Sequence, residues 1–134
     1  MTRVLIADDH DAVRQSLTQA LELEPDVKVV GEARDGSSAV EMTRELSPDV
    51  VFMDVVMPTL GGIEATRQIL EQCPGVQVIA LSVHASKAFA SRMFQAGASG
   101  YVLKDGDVEE LLHAVDVVSH GQTYLSPEIT SGEA

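Results

Sequence analysis

The stretch DVVFMDVVMP (residues 49–58) sets a carboxylate, Asp54, inside a run of apolar side chains. A half-exposed strand alternates apolar and polar residues. The near-continuous 50–53 segment does not, which is the pattern of a strand covered on both faces. The acid at its end then needs a partner or a cation, because a lone buried charge is costly. Four more stretches read in the same way: RVLIA (3–7), VKVVGEA (27–33), VQVIALS (76–82) and GYVLK (100–104). VKVVGEA is the most polar of them and reads as an edge strand.

Helical patterns separate these runs. In 11–23, Val13, Leu17, Ala20 and Leu21 fall at i, i+4, i+7 and i+8. In 61–73, Ile63, Thr66, Ile69, Leu70 and Cys73 form a similar stripe, stopped by Pro74-Gly75. In 107–119 the stripe is Val108, Leu111, Leu112, Val115 and Val118, with Asp107 as N-cap and Gly121 near the end. A weaker helix is expected over 36–46, and one over 85–96 that carries Phe89, Ala90, Met93 and Phe94 on several sides.

Five strand–helix alternations predict an α/β fold: a flavodoxin-like (βα)5 three-layer sandwich with a parallel five-stranded sheet in the order 2-1-3-4-5. The domain is expected over 1–122. Residues 123–134 read as a tail or the start of an interdomain linker, in which Pro127 opens the first turn of a helix that does not develop.

The totals narrow the function. The chain has 134 residues, room for one domain, and a net charge of −12. Nucleic acid and anionic membranes want clustered Lys and Arg, so this segment is a poor candidate for either. No apolar run approaches the roughly 20 residues of a membrane span. The beginning MTRVLIADDH turns acidic too early for a signal peptide. Cys73 is the one cysteine, so no internal disulfide forms. A cytoplasmic location is expected.

In an open α/β sheet, ligands bind beyond the carboxyl ends of the strands, at the switch point between the first and third. The first strand runs out into Asp8-Asp9, the third into Asp54, the fourth into Ser82 and the fifth into Lys104. Crowded carboxylates repel unless a cation joins them. An all-oxygen set favours a hard cation, Mg²⁺ above all when a phosphate shares the site. An Asp can attack phosphorus and form an aspartyl phosphate, a reaction that asks mainly for positioning and charge neutralisation. Taken singly, each residue has a plainer explanation. Asp54 is a turn residue, Asp8-Asp9 a helix cap and Lys104 a solvated lysine. Their convergence on one edge is what singles them out. His10, His84, His113 and His120 lack metal-ligand spacing and read as surface or helix residues, and Cys73 reads as core packing.

The motifs LIADDH, DVVFMDVVMPTLGGIEA, VIALSVH and AGASGYVLKD, in this order, resemble the signatures of the two-component response-regulator receiver family over about residues 2–121. The resemblance implies that Asp54 is phosphorylated by a cognate sensor histidine kinase. It implies Mg²⁺ bound by the Asp9 and Asp54 carboxylates and the Val56 carbonyl, with Asp8 acting through a metal-bound water. Ser82 takes the place of the switch hydroxyl, Tyr101 of the switch aromatic and Lys104 of the phosphate-binding lysine. On phosphorylation Ser82 moves toward the phosphoryl group and Tyr101 turns inward, remodelling the face built from the fourth helix, fifth strand and fifth helix. A homodimer can then form there or on the face of helices 1 and 5.

DDH, LSVH, GYVLKD and YLSP further resemble the NarL-type branch, whose receivers precede a LuxR-type helix-turn-helix. DNA is then contacted only through an output domain absent from this chain, which is expected to be a fragment of a longer transcriptional regulator. The domain itself is expected to be a switch, not an enzyme.

Three other readings compete with this one. An aspartyl-nucleophile phosphatase wants an acid where Val56 stands. A flavodoxin wants a Ser/Thr/Gly-rich phosphate loop where ADDHDA stands. A receiver used only as a phosphorylation-independent interaction module would not need the complete acidic set. Two departures from the family pattern also appear. Asp105 follows Lys104 in place of a proline often found in a cis peptide. Val83, in place of Ala or Gly, follows the switch hydroxyl. The bulk of Val83 should slow access to the phosphoryl group, so Val83→Ala is expected to raise the dephosphorylation rate; an unchanged rate would count against this.

Overall fold

The computed structural model describes residues 1–131. Strands and helices alternate as β1 (Thr2–Ala7), α1 (Asp11–Glu22), β2 (Val27–Ala33), α2 (Gly36–Leu46), β3 (Val50–Asp54), α3 (Gly62–Gln72), β4 (Gln77–Ser82), α4 (Lys87–Gln95), β5 (Gly100–Leu103) and α5 (Val108–Ser119). A short β6 (Tyr124–Leu125) and α6 (Pro127–Ser131) follow. All strand pairs are parallel, in the order β2-β1-β3-β4-β5-β6. This is the flavodoxin-like sandwich the pattern predicts, with one strand more.

The apolar runs have no polar face because both faces of the sheet are covered. Along β1, Leu5 and Ala7 enter one core with Ala39 of α2, Ile69 of α3 and Met93 of α4. The alternate residues Val4 and Ile6 enter the other, with Leu21 of α1 and Leu111, Val115 and Val118 of α5. β3 divides likewise, with Val51 and Met53 on the first face and Val50 and Phe52 on the second. β2, at the sheet edge, is the most exposed of the long strands. The helix starts are fixed by short polar side chains: Asp35 accepts from Ser38 N (2.7 Å), Ser86 from Phe89 N (3.3 Å) and Asp107 from Glu110 N (2.9 Å).

The register brings the strand ends together. Ala7 lies beside Met53, Asp54 beside Leu81 and Ser82 beside Leu103. The residues that follow β1, β4 and β5 therefore surround Asp54. Gly62 allows a close approach here. A Cβ at that position would collide with the backbone of Asp54 and Val55, while its amide donates to Val55 O (2.9 Å). The loop after Asp54 can thus turn back tightly against the strand end.

The tail departs from expectation. Tyr124 N donates to Ser99 O (2.9 Å) and Ser126 N to Tyr101 O (3.0 Å), which adds β6 to the sheet edge. The Tyr124 hydroxyl donates to Glu110 Oε2 (2.8 Å), and its ring meets His113 edge-on with centroids 5.5 Å apart. Ile129 is fully buried in the core cluster that holds Tyr101 and Met93. The helix begun at Pro127 does develop, for five residues. Its reason is tertiary: the short apolar pair Leu125 and Ile129 has no periodicity of its own, and is explained by the surface offered beside β5. Removing the buried Ile129 side chain in Ile129→Ala should cost about 2–4 kcal/mol in urea unfolding. An unchanged midpoint would mean that this segment does not pack on the domain in solution.

Candidate functional site

β1 ends at Ala7, and Asp8 follows with its amide donating to Ala33 O of β2 (3.0 Å). Asp8 is fully buried, and its Oδ1 accepts from His10 N (2.9 Å). Asp54, the last residue of β3, is 4% exposed, and its Oδ1 accepts a long bond from Val56 N (3.4 Å). Lys104 reaches in from the end of β5, where its amide is held by Ser82 O (2.9 Å). Its Nζ lies 2.8 Å from Asp8 Oδ2 and 3.1 Å from Asp54 Oδ2. These are ion pairs by distance, yet neither oxygen receives a well-aligned hydrogen bond. One ammonium therefore sits between two buried carboxylates.

Asp9 is exposed beside this pair. Ligand atoms of Asp8, Asp9, His10 and Asp54 lie within 4.8 Å of one another. His10 Nδ1 is 3.1 Å from Asp8 Oδ1 and 3.3 Å from Asp9 Oδ1. Its side chain remains largely in solvent, as read from the sequence, but its place beside both acids was not foreseen. A cleft of about 350 Å³ opens here, lined by Asp9, Asp54, Val56, Ser82, Val83, His84 and their neighbours. Val56 and Val83 are 59% and 72% exposed and form an apolar rim beside it. A groove of about 460 Å³ between α1 and α5 is lined by Lys104 but by no carboxylate, so it lacks this chemistry.

Electrostatics follow from burial. Burial pushes the Asp54 carboxyl up, the nearby charge of Asp8 adds to this, and Lys104 opposes both; the result is about 6. For Lys104, burial acts downward, but the contacts with Asp8 and Asp54 outweigh it and hold the ammonium above its usual range. One ammonium answers one of three carboxylates, and a divalent cation would answer the other two. Oxygen donors at this spacing suit Mg²⁺.

Of the residues singled out in the sequence, Asp8, Asp9, Asp54, Val56, Ser82 and Lys104 come together here. Tyr101 lies behind them, fully buried and turned inward, with its hydroxyl donating to His84 O (3.0 Å). Ser82 Oγ accepts from His84 N (2.9 Å). The backbone of one residue is therefore held from both sides by Ser82 and Tyr101. On α4, Met93 is core, while Phe89 and Phe94 are half-buried and pack against it. Among the described residues no peptide bond is cis, so Lys104–Asp105 is trans. Sequence reasoning did not single out Arg14, which is buried beneath the Asp8–Asp9 turn with Nη1 on the Asp8 carbonyl.

Residues 4–116 match the response regulator receiver domain family. The chain is 45% identical over 129 residues to the response regulator GacA of Pseudomonas viridiflava, covering 96% of this chain and 60% of that protein. It is 41% identical to the response regulator UvrY of Escherichia coli, with 96% and 59% covered. It is 39% identical to the transcriptional regulatory protein DegU of Brevibacillus brevis, with 96% and 54% covered. It thus spans little more than half the length of these curated relatives. A LuxR-family two-component response regulator from Aurantimonas superposes with a TM-score of 0.92 at 39% identity, over 98% of this chain and 94% of that one. The signal receiver domain of the Mycobacterium tuberculosis response regulator NarL gives 0.86 at 34%, over 90% and 98%.

The raised value for Asp54 means that the folded protein holds this proton more tightly than the unfolded chain does. The stability contributed is largest below about pH 4, declines as pH rises through 6 and is level above that. In chelator at pH 8, Asp54→Asn should therefore stabilise the domain, by up to about 3 kcal/mol. The gain should shrink as pH falls toward 4. A loss of stability at pH 8 in urea or thermal unfolding would contradict it.

Proposed function

The chain belongs to the response regulator receiver family, and on that premise we propose that Asp54 is the residue that accepts the phosphoryl group. Receivers of such regulators are phosphorylation switches in two-component signalling. The observation that carries the assignment to Asp54 is Lys104 Nζ held between Asp8 and Asp54 in the wall of the cleft.

The donor is the phosphohistidine of a sensor histidine kinase. An Asp54 carboxylate oxygen attacks phosphorus, the new P–O bond forms, and the P–N bond breaks with its electron pair remaining on the donor imidazole. Asp54 must be ionised to attack, which its value of about 6 permits at neutral pH. Lys104 supplies a positive charge beside the oxygen it already contacts. Asp8, Asp9, Asp54 and the Val56 carbonyl would hold Mg²⁺. When bound, the ion neutralises charge on the phosphoryl oxygens.

Ser82 Oγ accepts from His84 N, which leaves the hydroxyl hydrogen to be donated to a phosphoryl oxygen. A movement of Ser82 would pull on His84, whose carbonyl Tyr101 holds. This supports reading Ser82 and Tyr101 as the switch pair. The α4–β5 surface is then what a partner would sense, including a second copy of the chain. The switch domain is taken as residues 1–122 and residues 123–134 as a tail or the start of a linker, of which 132–134 lie outside the described residues. In a full-length regulator that linker would lead to a DNA-binding domain acting in the cytoplasm. Among the described residues, no helix is long and apolar enough to cross a membrane. Val56, in the position where an aspartyl phosphatase would place an acid, supports a switch over an enzyme.

Incubation with acetyl phosphate and Mg²⁺ should add one phosphoryl mass to the protein. The gain should vanish in Asp54→Ala and fall sharply in chelator. An unmodified wild-type protein, or a labelled Asp54→Ala protein, would refute the assignment.

A further inference from the structure

Arg14 is 6% exposed, at the end of the first turn of α1, and it bonds to two groups of the β1–α1 turn and to one on β2. Nη1 donates to the Asp8 carbonyl (2.6 Å), Nη2 to Asp11 Oδ1 (2.5 Å) and Nε to Glu32 Oε1 (3.3 Å) on β2. Glu32 is itself held by Thr18, whose hydroxyl donates to Oε2 (3.0 Å). A guanidinium buried this deeply, with partners in three directions, has its orientation determined by the fork geometry.

The contact with Asp8 is to the backbone, which gives it a specific consequence. The Asp8 amide is bonded to Ala33 O and the Asp8 carbonyl to Arg14. That carbonyl belongs to the rigid peptide plane joining Asp8 to Asp9. Fixing the plane fixes the direction in which the Asp9 chain leaves, and so where its carboxylate stands relative to Asp8 and Asp54. Asp8, Asp9 and Asp54 repel one another, and Lys104 contacts Asp8 and Asp54 but not Asp9. Asp9, which meets His10 Nδ1 at 3.3 Å but whose partner there is largely in solvent, is thus the member of the cluster whose placement depends most on the backbone that carries it.

We propose that Arg14 is a positioning residue: it holds the Asp8–Asp9 peptide so that the acidic cluster is pre-arranged for a divalent cation. This deepens the phosphoacceptor reading and rests on it, since Mg²⁺ is the cation that reading requires. The charge of Arg14 alone predicts the opposite behaviour. Removing a cation near three carboxylates should tighten Mg²⁺ binding, whereas releasing the clamp should weaken it. The sign of the change therefore separates the two.

The test is Mg²⁺ titration by calorimetry of the wild-type protein, Arg14→Met and Arg14→Lys, with thermal unfolding of each. Arg14→Lys keeps the charge but cannot span the three acceptors, and it serves if Arg14→Met does not fold. Arg3→Met is the control. At the far end of β1, Arg3 Nη1 ties Leu46 O and Ser47 O, both at 2.7 Å, and its loss should lower stability without reaching the site. Both Arg14 variants are expected to weaken Mg²⁺ binding about tenfold or more, the range seen when groups that orient metal ligands are removed. Arg3→Met should leave it within about twofold. Unchanged binding in Arg14→Lys, tighter binding in Arg14→Met, or equal weakening in Arg3→Met would overturn the proposal. A wild-type protein that takes up no Mg²⁺ would overturn the underlying cation reading as well.

Discussion

Two almost fully buried carboxylates, Asp8 and Asp54, share one ammonium, and the rest of the site is arranged around that shortage of positive charge. Buried ion pairs are poor devices for stability, because desolvation consumes most of what attraction returns. Here the imbalance is greater still, since Asp9 adds a third acid and Asp54 is driven up to about 6. A domain selected for stability alone would not keep such a cluster. One that must take up a divalent cation and a phosphoryl group needs the unanswered charge.

The sheet makes this arrangement affordable in structural terms. Val51, Phe52 and Met53 anchor β3 in both cores, so Asp54 cannot retreat along the strand toward solvent. The parallel register then delivers Asp8, Ser82 and Lys104 to the same edge from three neighbouring strands. Two further contacts tune the cluster from outside it. Arg14 holds the peptide beneath Asp8 and Asp9, and the tight turn permitted by Gly62 holds the loop carrying Val56. Preorganisation of this kind lowers the cost of placing charge at the moment of reaction.

Behind the acids, His84 links Ser82 to Tyr101 through its own backbone. Tyr101 belongs to the same core cluster as Met93 of α4 and Ile129 of α6, and its carbonyl accepts from Ser126. A disturbance at Ser82 thus has a continuous packed route to α4 and to the tail. The docked tail is thus in direct contact with Tyr101 through Ser126 and Ile129.

Much of this was legible in one dimension. Strands buried on both faces read as unbroken apolar runs, and amphipathic helices announce themselves by the 3.6-residue period, so the five βα units followed from the pattern, while their order rested partly on analogy with the flavodoxin-like fold. Asp8, Asp9, Asp54, Ser82 and Lys104 could be placed on one edge because each stands at the end of a strand. β6 and α6 were not legible. Two residues of strand and one turn of helix are too short for periodicity, and they exist because β5 offers an unpaired edge and an apolar surface. The burial of Arg14 and the place of His10 beside the acids were not legible for a related reason. A sequence shows that a side chain is polar, but whether it meets water or a buried carbonyl depends on what the fold brings against it. The sequence by itself determined which residues could form strands and where their charges would stop. Only the tertiary structure decided which of those charges would be short of a partner, because pairing and desolvation depend on distances that no local pattern encodes.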